Sequence, residues 1–441
     1  MQGELLRRTF IGAGPAAVLG AAPGRSVKDP PALLGGEPVR RKGFPSWPQP
    51  TSADEKNWLD ALRAGKWWRR EGHYVRDFEK AWAERMDARY CLATANGTSA
   101  LMASLHALEV GPKDEVLVSP YTFIATINSI AAHYALPVFV DTDPESMMID
   151  AGKIEAAITA RTRCIMPVHL GGNVADMDRI LQISKKRNIP VIEDACQAHL
   201  SEWRTRKVST LGNLGCFSFQ KFKNLPGGEA GGVITNDEKL YQSAFGFHSH
   251  YLTLDEAAPG PSPRRNGINL RMAEFQAALL LAQLTRLEGQ AKTREQNAAI
   301  LGELLAEVPG VKPAKMYSGC TRNGYHLYMM RYDPDAFAGL PRERFIQAVR
   351  AEGIPLSAGY GPLNKDPFLE NTFASRTWRA VYTKKEIDNW RERNQCPAND
   401  RLTREGLWFS QNVLLADKAA MEDIATAFGK VYRHAEAIRK G

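Results

Sequence analysis

Two lysines lie between the end of an apolar run and a loop rich in glycine. The run 216–219 contains Ser218. Lys221 and Lys223 follow this run, and four glycines lie between positions 227 and 232. A lysine held out of water has a lowered pKa, so that its neutral amine can attack an aldehyde or move a proton. The hydroxyl of Ser218 could bind a phosphate group. Spacing alone does not choose between Lys221 and Lys223, and either could be a solvated surface lysine.

A second candidate is the stretch Asn96-Gly97-Thr98-Ser99, which follows a predicted strand and opens a predicted helix. Glycine lets the backbone approach an anion closely, and a helix N-terminus directs unsatisfied N–H groups toward it. These residues could therefore bind phosphate. The same residue types also suit an ordinary turn with a helix N-cap.

A third candidate is the acidic pair Glu193-Asp194 at the end of the run 190–193. A carboxylate at the end of a buried strand needs a partner. In a pyridoxal phosphate (PLP) site that partner is the protonated pyridine nitrogen, which the carboxylate keeps charged so that the ring accepts electrons. A salt bridge or a helix cap is the alternative, and it suits Glu193 better than Asp194. Gln197 and His199 follow closely.

The elements that would position these residues alternate between strands and helices. Strands alternating with helices predict an α/β fold with a mostly parallel sheet covered by helices on both faces. In such sheets the ligand lies beyond the carboxyl ends of the strands, where we expect Gly97, Phe123, Asp194 and Ser218. The predicted strands are residues 91–95, 116–119, 137–141, 164–169, 190–193, 216–219 and 232–235.

The length of 441 residues predicts more than one domain. A long helical pattern over 273–307 would connect a first domain to a second, smaller α+β domain. The predicted organisation is a leader at 1–25, an arm at 26–75, a large domain at 76–290 and a C-terminal domain at 291–441.

Composition is that of an ordinary globular protein, with 44% hydrophobic and 24% charged residues. The net charge is +8, but the basic residues are dispersed, which favours pockets for anionic small molecules over nucleic-acid binding. The six cysteines form no CxxC pair and match no metal-site spacing, so we expect neither a metal site nor a disulfide framework.

The N-terminus carries Arg7-Arg8 before a short apolar segment rich in glycine and alanine. This pattern is similar to a twin-arginine export signal and predicts an exported, periplasmic protein. The segment is too short to span a membrane. The alternative is a chance arginine pair on a leader of a cytoplasmic protein.

The whole series of motifs resembles the DegT/StrS family of sugar aminotransferases, which are PLP enzymes of fold type I. Order and spacing agree over some 250 residues, and this makes the series far more specific than any single motif. The matching stretches are residues 97–101, 120–123, 140–141, 167–171, 175–178, 191–199, 218–232 and 267–272, with a weaker likeness at 325–326 and 359–363.

The resemblance implies a role for each matching residue. The family's Schiff-base lysine lies five positions after the serine and directly before Asn-Leu, which is Lys223 rather than Lys221. Asp194 would pair with the pyridine nitrogen, and Gln197 would lie near the phenolic oxygen of the cofactor. The phosphate would be held by Gly97, Thr98, Ser99 and Ser218, and Phe123 would stack on the ring.

The resemblance also implies a homodimer with shared sites. Asn269, together with Arg271, would reach the phosphate or the substrate of the neighbouring subunit. Candidates for the acceptor pocket are Trp67, Trp68, His326 and Tyr360, for which packing in the core or in loops is the alternative role.

The implied activity is transfer of an amino group from glutamate or glutamine to a keto-sugar or keto-cyclitol. The flanking stretches 35–40 and 67–69 resemble the branch of the family that acts on scyllo-inosose. Alternatives are a dehydratase or lyase of the same fold, or a PLP-binding regulator without turnover. Ala230 and Leu200 replace common glycines of the family, and both changes could narrow the cofactor pocket.

Overall fold

A computed structural model describes residues 29–251 and 265–441. The predicted leader at 1–25 lies outside the described residues. The α-helices α1–α15 span Ser52–Ala64, Tyr74–Arg85, Gly97–Ala107, Ile124–Ala132, Ala151–Ala157, Met177–Arg187, Glu238–His248, Glu274–Leu305, Arg342–Ala351, Pro367–Phe373, Arg376–Val381, Lys384–Arg393, Pro397–Glu405, Lys418–Arg433 and Ala435–Lys440. The strands β1–β14 span Tyr90–Thr94, Glu115–Val118, Leu136–Phe139, Thr162–Met166, Ile192–Asp194, Glu202–Trp203, Arg206–Lys207, Leu214–Ser218, Gly231–Thr235, Val311–Pro313, Cys320–Arg322, Leu327–Tyr332, Ser357–Ala358 and Gly406–Ser410.

The central sheet has the strand order β3-β2-β4-β5-β8-β9-β1. Ladders connect β3, β2 and β4 and, separately, β5, β8, β9 and β1, and two parallel bridges join β4 to β5 through Ile165–Val191 and Val168–Asp194. Strand β9 runs in the direction opposite to the other strands of this sheet, antiparallel to both β8 and β1. It follows β8 through a loop without a helix, and a parallel partner would require a longer crossover. The predicted α/β fold with a mostly parallel sheet is confirmed.

Local sequence explains why these strands form a buried sheet. Every residue of β2, β3 and β8 is buried, as expected for continuous apolar runs in a parallel sheet. Glu115 in β2 is the charged exception, and its carboxylate is paired with Arg161 and Arg393. Among the described residues, no helix combines the length and the apolar character that crossing a membrane requires.

A second hydrophobic core lies around the antiparallel sheet β10-β12-β14-β13. Phe345 of α9, Phe409 of β14 and Phe428 of α14 pack together there, and the long helix α8 contributes Leu301 and Leu305. Helices α10–α13 behave differently, since their buried residues pack into the first core. Part of the segment 291–441 is therefore shared between the two cores, and the exact domain boundaries stay a prediction.

Candidate active site

A cavity of about 500 Å³ lies beyond the carboxyl ends of β5 and β8 and faces the N-termini of α3 and α4. This is the edge at which parallel α/β sheets place their ligands. It brings together most of the residues singled out by sequence. The lining residues are Asn96, Gly97, Thr98, Leu101, Thr122, Phe123, Ala125, Thr126, Val168, Asp194, Cys196, Gln197, Ser218, Gln220, Phe222, Lys223, Glu229, His326 and Tyr360.

Lys223 and Lys221 have different surroundings. Lys223 lines the cavity, and burial lowers its pKa while Cys196 and Asp194 act in the opposite direction. Lys221 is exposed, and its ammonium lies 4.7 Å from the ring centroid of Phe222. The lowered pKa favours the neutral, nucleophilic form of the Lys223 amine at this cavity.

Asp194 is a buried carboxylate, 3% exposed, at the end of β5. Its Oδ2 accepts a 2.8 Å hydrogen bond from the hydroxyl of Thr126, and its Oδ1 accepts from the backbone N–H of Cys196 at 3.1 Å. None of the ion pairs within the described residues includes Asp194. A buried anion without a cationic partner suits a cationic ligand group.

Glu193 has a structural role, in line with the alternative considered for it. Its carboxylate contacts Nε2 of buried His169 at 3.0 Å and accepts the backbone N–H groups of Ser209, Leu211 and Gly212. It therefore holds the loop before β8 in place.

The N-terminus of α3 forms another part of the cavity wall. Asn96 caps this helix, its Oδ1 accepting from the N–H of Ser99 at 2.9 Å. A Cβ at Gly97 would lie 2.7 Å from the Cβ of Ser218 and 3.0 Å from the sulfur of Cys196. Gly97 is therefore required by close packing, and it lines the cavity together with Thr98 of the first turn and with Ser218.

Polar and aromatic groups complete the cavity wall. Gln197 accepts the backbone N–H of Gly171 and donates through Nε2 to the phenol of Tyr360 at 3.1 Å. Phe123 is 53% exposed at the cavity mouth. His326 is buried, its Nδ1 has no hydrogen-bond partner among the described residues, and burial lowers its pKa well below the usual value. It is therefore a neutral imidazole.

Five predicted site residues do not line the cavity of their own chain. The hydroxyl of Ser99 binds Asn96 Oδ1 at 3.0 Å, as part of the helix cap. Trp67 is exposed and donates to the carbonyl of Leu62, and Trp68, Asn269 and Arg271 also lie outside the cavity lining.

Leu200 and Ala230, which stand where the family commonly has glycine, do not line the cavity either. Leu200 is buried and adopts a left-handed φ of 62°, the conformation that favours glycine. Ala230 is buried, and its carbonyl accepts the N–H of Phe219 at the start of the lysine loop.

Several lining residues were missed by sequence reasoning. Thr126 follows Thr122 by four residues at the start of α4, and their hydroxyls lie 2.9 Å apart. Thr122 precedes α4 and Thr126 is the third residue of this helix, so two threonines four positions apart near a helix start were a usable signal. Glu229, Gln220 and Phe222 flank Lys223 in the chain, but no pattern indicated that they face the cavity.

Comparison with known proteins agrees with this geometry. The sequence profile of the DegT/DnrJ/EryC1/StrS aminotransferase family matches residues 50–390. The L-glutamine:2-deoxy-scyllo-inosose aminotransferase of Streptoalloteichus tenebrarius is 35% identical over 421 residues, covering 92% of this chain and 99% of that protein. The enzyme with the same description from Streptomyces fradiae is 34% identical, covering 92% and 98%.

Solved structures show the same fold. The crystal structure of 3-amino-5-hydroxybenzoic acid synthase superposes with a TM-score of 0.79 at 31% identity, covering 90% of this chain and 99% of that one. An aminotransferase from Psychrobacter cryohalolentis has a TM-score of 0.77 at 29% identity, covering 89% and 100%.

Proposed function

Because the chain belongs to the DegT/DnrJ/EryC1/StrS aminotransferase family and is an aminotransferase, we propose that it uses PLP held by Lys223. We further propose that the donor is glutamine and the acceptor a keto-cyclitol, with glutamate and keto-sugars as the nearest alternatives. The names of the most similar relatives support this choice. The observation that carries the proposal is the cavity that combines Lys223 with the buried carboxylate of Asp194, which forms no ion pair with any described residue.

The residues of the cavity fit PLP at both of its ends. Asp194 would pair with the protonated pyridine nitrogen, and the hydroxyl of Thr126 and the N–H of Cys196 hold its carboxylate in place. Gly97, Thr98 and Ser218 would bind the phosphate at the N-terminus of α3, where a side chain at position 97 would fill the available space. When bound, PLP supplies an electron sink that stabilises negative charge on the substrate carbon.

Within this site, Lys223 would have two tasks. Its neutral amine, favoured by the lowered pKa, would hold the cofactor aldehyde between turnovers. After the donor has displaced it, the same amine would move the proton between the substrate carbon and the cofactor carbon. Gln197 and Tyr360 would orient the cofactor on the side of its phenolic oxygen, and Phe123 would cover one face of the pyridine ring.

The donor half-reaction tests this function. Glutamine added to the PLP-loaded protein is expected to remove the absorbance band of lysine-bound PLP and to yield the amine form of the cofactor. Lys223→Ala is expected to lack both the band and the conversion, and Lys221→Ala, the matched control, is expected to keep both. Conversion by neither glutamine nor glutamate contradicts amino transfer, and loss of the band in Lys221→Ala alone contradicts the assignment of the lysine.

We also propose that two chains share their active sites. Trp67, Asn269 and Arg271 lie outside the cavity of their own chain, and Trp67 is 51% exposed, with its ring 5.6 Å from Phe275. An exposed aromatic surface of this kind suits contact with a second copy. Asn269 and Arg271 would then complete the phosphate or substrate site of the partner.

For the N-terminus, we propose export by the twin-arginine route on the basis of Arg7-Arg8. Fusion of residues 1–28 to a reporter is expected to direct it to the periplasm, and replacement of both arginines by lysine is expected to retain it in the cytoplasm. Equal distribution of the two fusions contradicts export by this route.

A further inference from the structure

We propose that Trp47 is a positioning residue for Lys223, and this inference rests on the proposed role of Lys223 as the cofactor lysine. Trp47 belongs to the N-terminal arm, 176 positions before Lys223 in the chain. Its indole N–H donates a 3.1 Å hydrogen bond to the backbone carbonyl of Lys223. The arm thereby contacts the residue that carries the reactive amine, although Trp47 does not line the cavity.

The backbone around Lys223 is held from three directions. The N–H of Lys223 donates to the carbonyl of Gln220 at 2.8 Å, which closes a tight turn. The side-chain amide of Asn224 donates to the carbonyl of Gly324 at 2.7 Å, and the Trp47 indole binds the carbonyl between these two contacts. The backbone is thus fixed, and only the side chain of Lys223 is left to move between cofactor and substrate.

Trp47 is itself held by a contact with helix α8. The guanidinium carbon of Arg294 in α8 lies 5.3 Å from the centroid of the indole ring. Arg294 is fully buried and has no ion pair with any described residue, so the face of the indole is one of the few groups that compensate its charge. Nε and Nη2 of Arg294 both donate to Oε1 of Gln411.

A further contact fixes the arm on the same side. The amide of Asn412 donates to the carbonyl of Pro45 at 2.7 Å, two residues before Trp47. The arm, α8 and the residues after β14 are therefore linked by direct contacts, and Trp47 connects them to the loop that contains Lys223. Through Trp47, these contacts determine where the Lys223 backbone lies relative to Asp194 and the rest of the cavity.

Such a contact is expected to affect the chemical step more than donor binding. Small displacements of a reacting group cost rate steeply, about 100-fold for 1 Å. The Trp47 indole does not line the cavity, so its loss is expected to leave the donor concentration for half-saturation unchanged. The rate of the donor half-reaction at saturation is expected to fall about tenfold.

Trp47→Phe tests the inference, because phenylalanine keeps an aromatic face for Arg294 and removes the N–H. The matched control is Trp390→Phe, which removes a buried indole bond to the carbonyl of Pro137 in β3, a strand that contributes nothing to the cavity. Both variants are measured for the half-reaction and, without cofactor, for hydrogen exchange of the peptide 220–226.

The expected result is a slower saturated rate and several-fold faster exchange of this peptide in Trp47→Phe, with neither change in Trp390→Phe. Equal behaviour of the two variants, or a change confined to donor affinity, overturns the inference. The hydrogen-exchange comparison needs no amino transfer. It therefore reports on Trp47 even if the wild-type protein fails the glutamine test and the proposed function is wrong.

Discussion

At the scale of single residues, Asp194 is the group expected to stabilise positive charge on the cofactor. Its carboxylate is buried, lacks a cationic partner among the described residues and is oriented by Thr126 and by the N–H of Cys196. Asp194→Asn keeps the shape and removes the charge, so the donor half-reaction is expected to slow by about 100-fold or more. The measurement is single-turnover conversion of bound PLP by glutamine. Asp178→Asn, which removes an exposed carboxylate paired with Arg204, is the control and should leave the rate unchanged; a wild-type rate in Asp194→Asn contradicts the role of Asp194.

The residue scale also shows how far sequence reasoning extends. Ser218, Asp194 and Gly97 could be predicted, because each type has a chemical reason to stand at a strand end or a helix start. The choice of Lys223 over Lys221 came only from the resemblance to a family, since both lysines follow the same strand. Trp47 could not be predicted, because its contact with Lys223 joins positions 176 apart and leaves no local pattern.

At the scale of elements, the N-cap of α3 is expected to serve both stability and binding. Asn96→Ala removes the side-chain acceptor for the N–H of Ser99. Loss of an N-cap costs about 1 kcal/mol of unfolding free energy. Asn96→Ala is also expected to weaken PLP binding, because the first turn of α3 would no longer present its N–H groups in a fixed direction.

The control for this prediction is another helix cap away from the cavity. Asp176→Ala removes the cap of α6, where Asp176 accepts the N–H of Arg179. Thermal unfolding and PLP titration are compared for the two variants. We expect both variants to lose a similar amount of unfolding free energy. We expect only Asn96→Ala to bind PLP more weakly. Equal PLP affinities in both variants contradict a phosphate site at α3.

Elements were predictable where hydrophobic pattern alone determines them. The buried strands of the central sheet and the long helix α8 follow from apolar runs and helical periodicity. Helices α10–α13 did not emerge from the sequence, since they are only 6 to 10 residues long. Trp378 and Trp390 stabilise them by packing into the first core, a tertiary effect that local periodicity does not reveal.

At the scale of the whole molecule, sharing of active sites predicts complementation. Lys223→Ala and Arg271→Ala homodimers are each expected to be inactive or strongly impaired. When the two are unfolded, mixed and refolded together, half of the dimers should carry both variants, and one of their two sites would be intact. Recovery of about a quarter of wild-type activity is expected. No recovery above the separate variants contradicts a role of Arg271 in the partner's site.

The whole fold should also lose stability in acid because it buries neutral imidazoles. Burial lowers the pKa of His199 and of His248 from 6.5 to about 3. Between these values the unfolded chain binds protons that the folded chain does not, so the free energy of unfolding rises with pH in this window and falls as the pH drops from 6.5 toward 3.

Denaturant unfolding at several pH values checks this prediction. Each such imidazole contributes a slope of up to about 1.4 kcal/mol per pH unit in the window. His248→Gln is expected to reduce the slope relative to wild type, because it removes one of the buried imidazoles. An unfolding free energy that is independent of pH between 4 and 6.5 contradicts the prediction.

Covalent labelling shows directly whether Lys223 holds the cofactor. Reduction of the PLP-loaded protein with borohydride fixes the cofactor to the lysine that carries it, and peptide mass mapping identifies that residue. We expect one cofactor per chain, attached to Lys223. Attachment to Lys221, or no lysine modified after loading, would contradict this expectation.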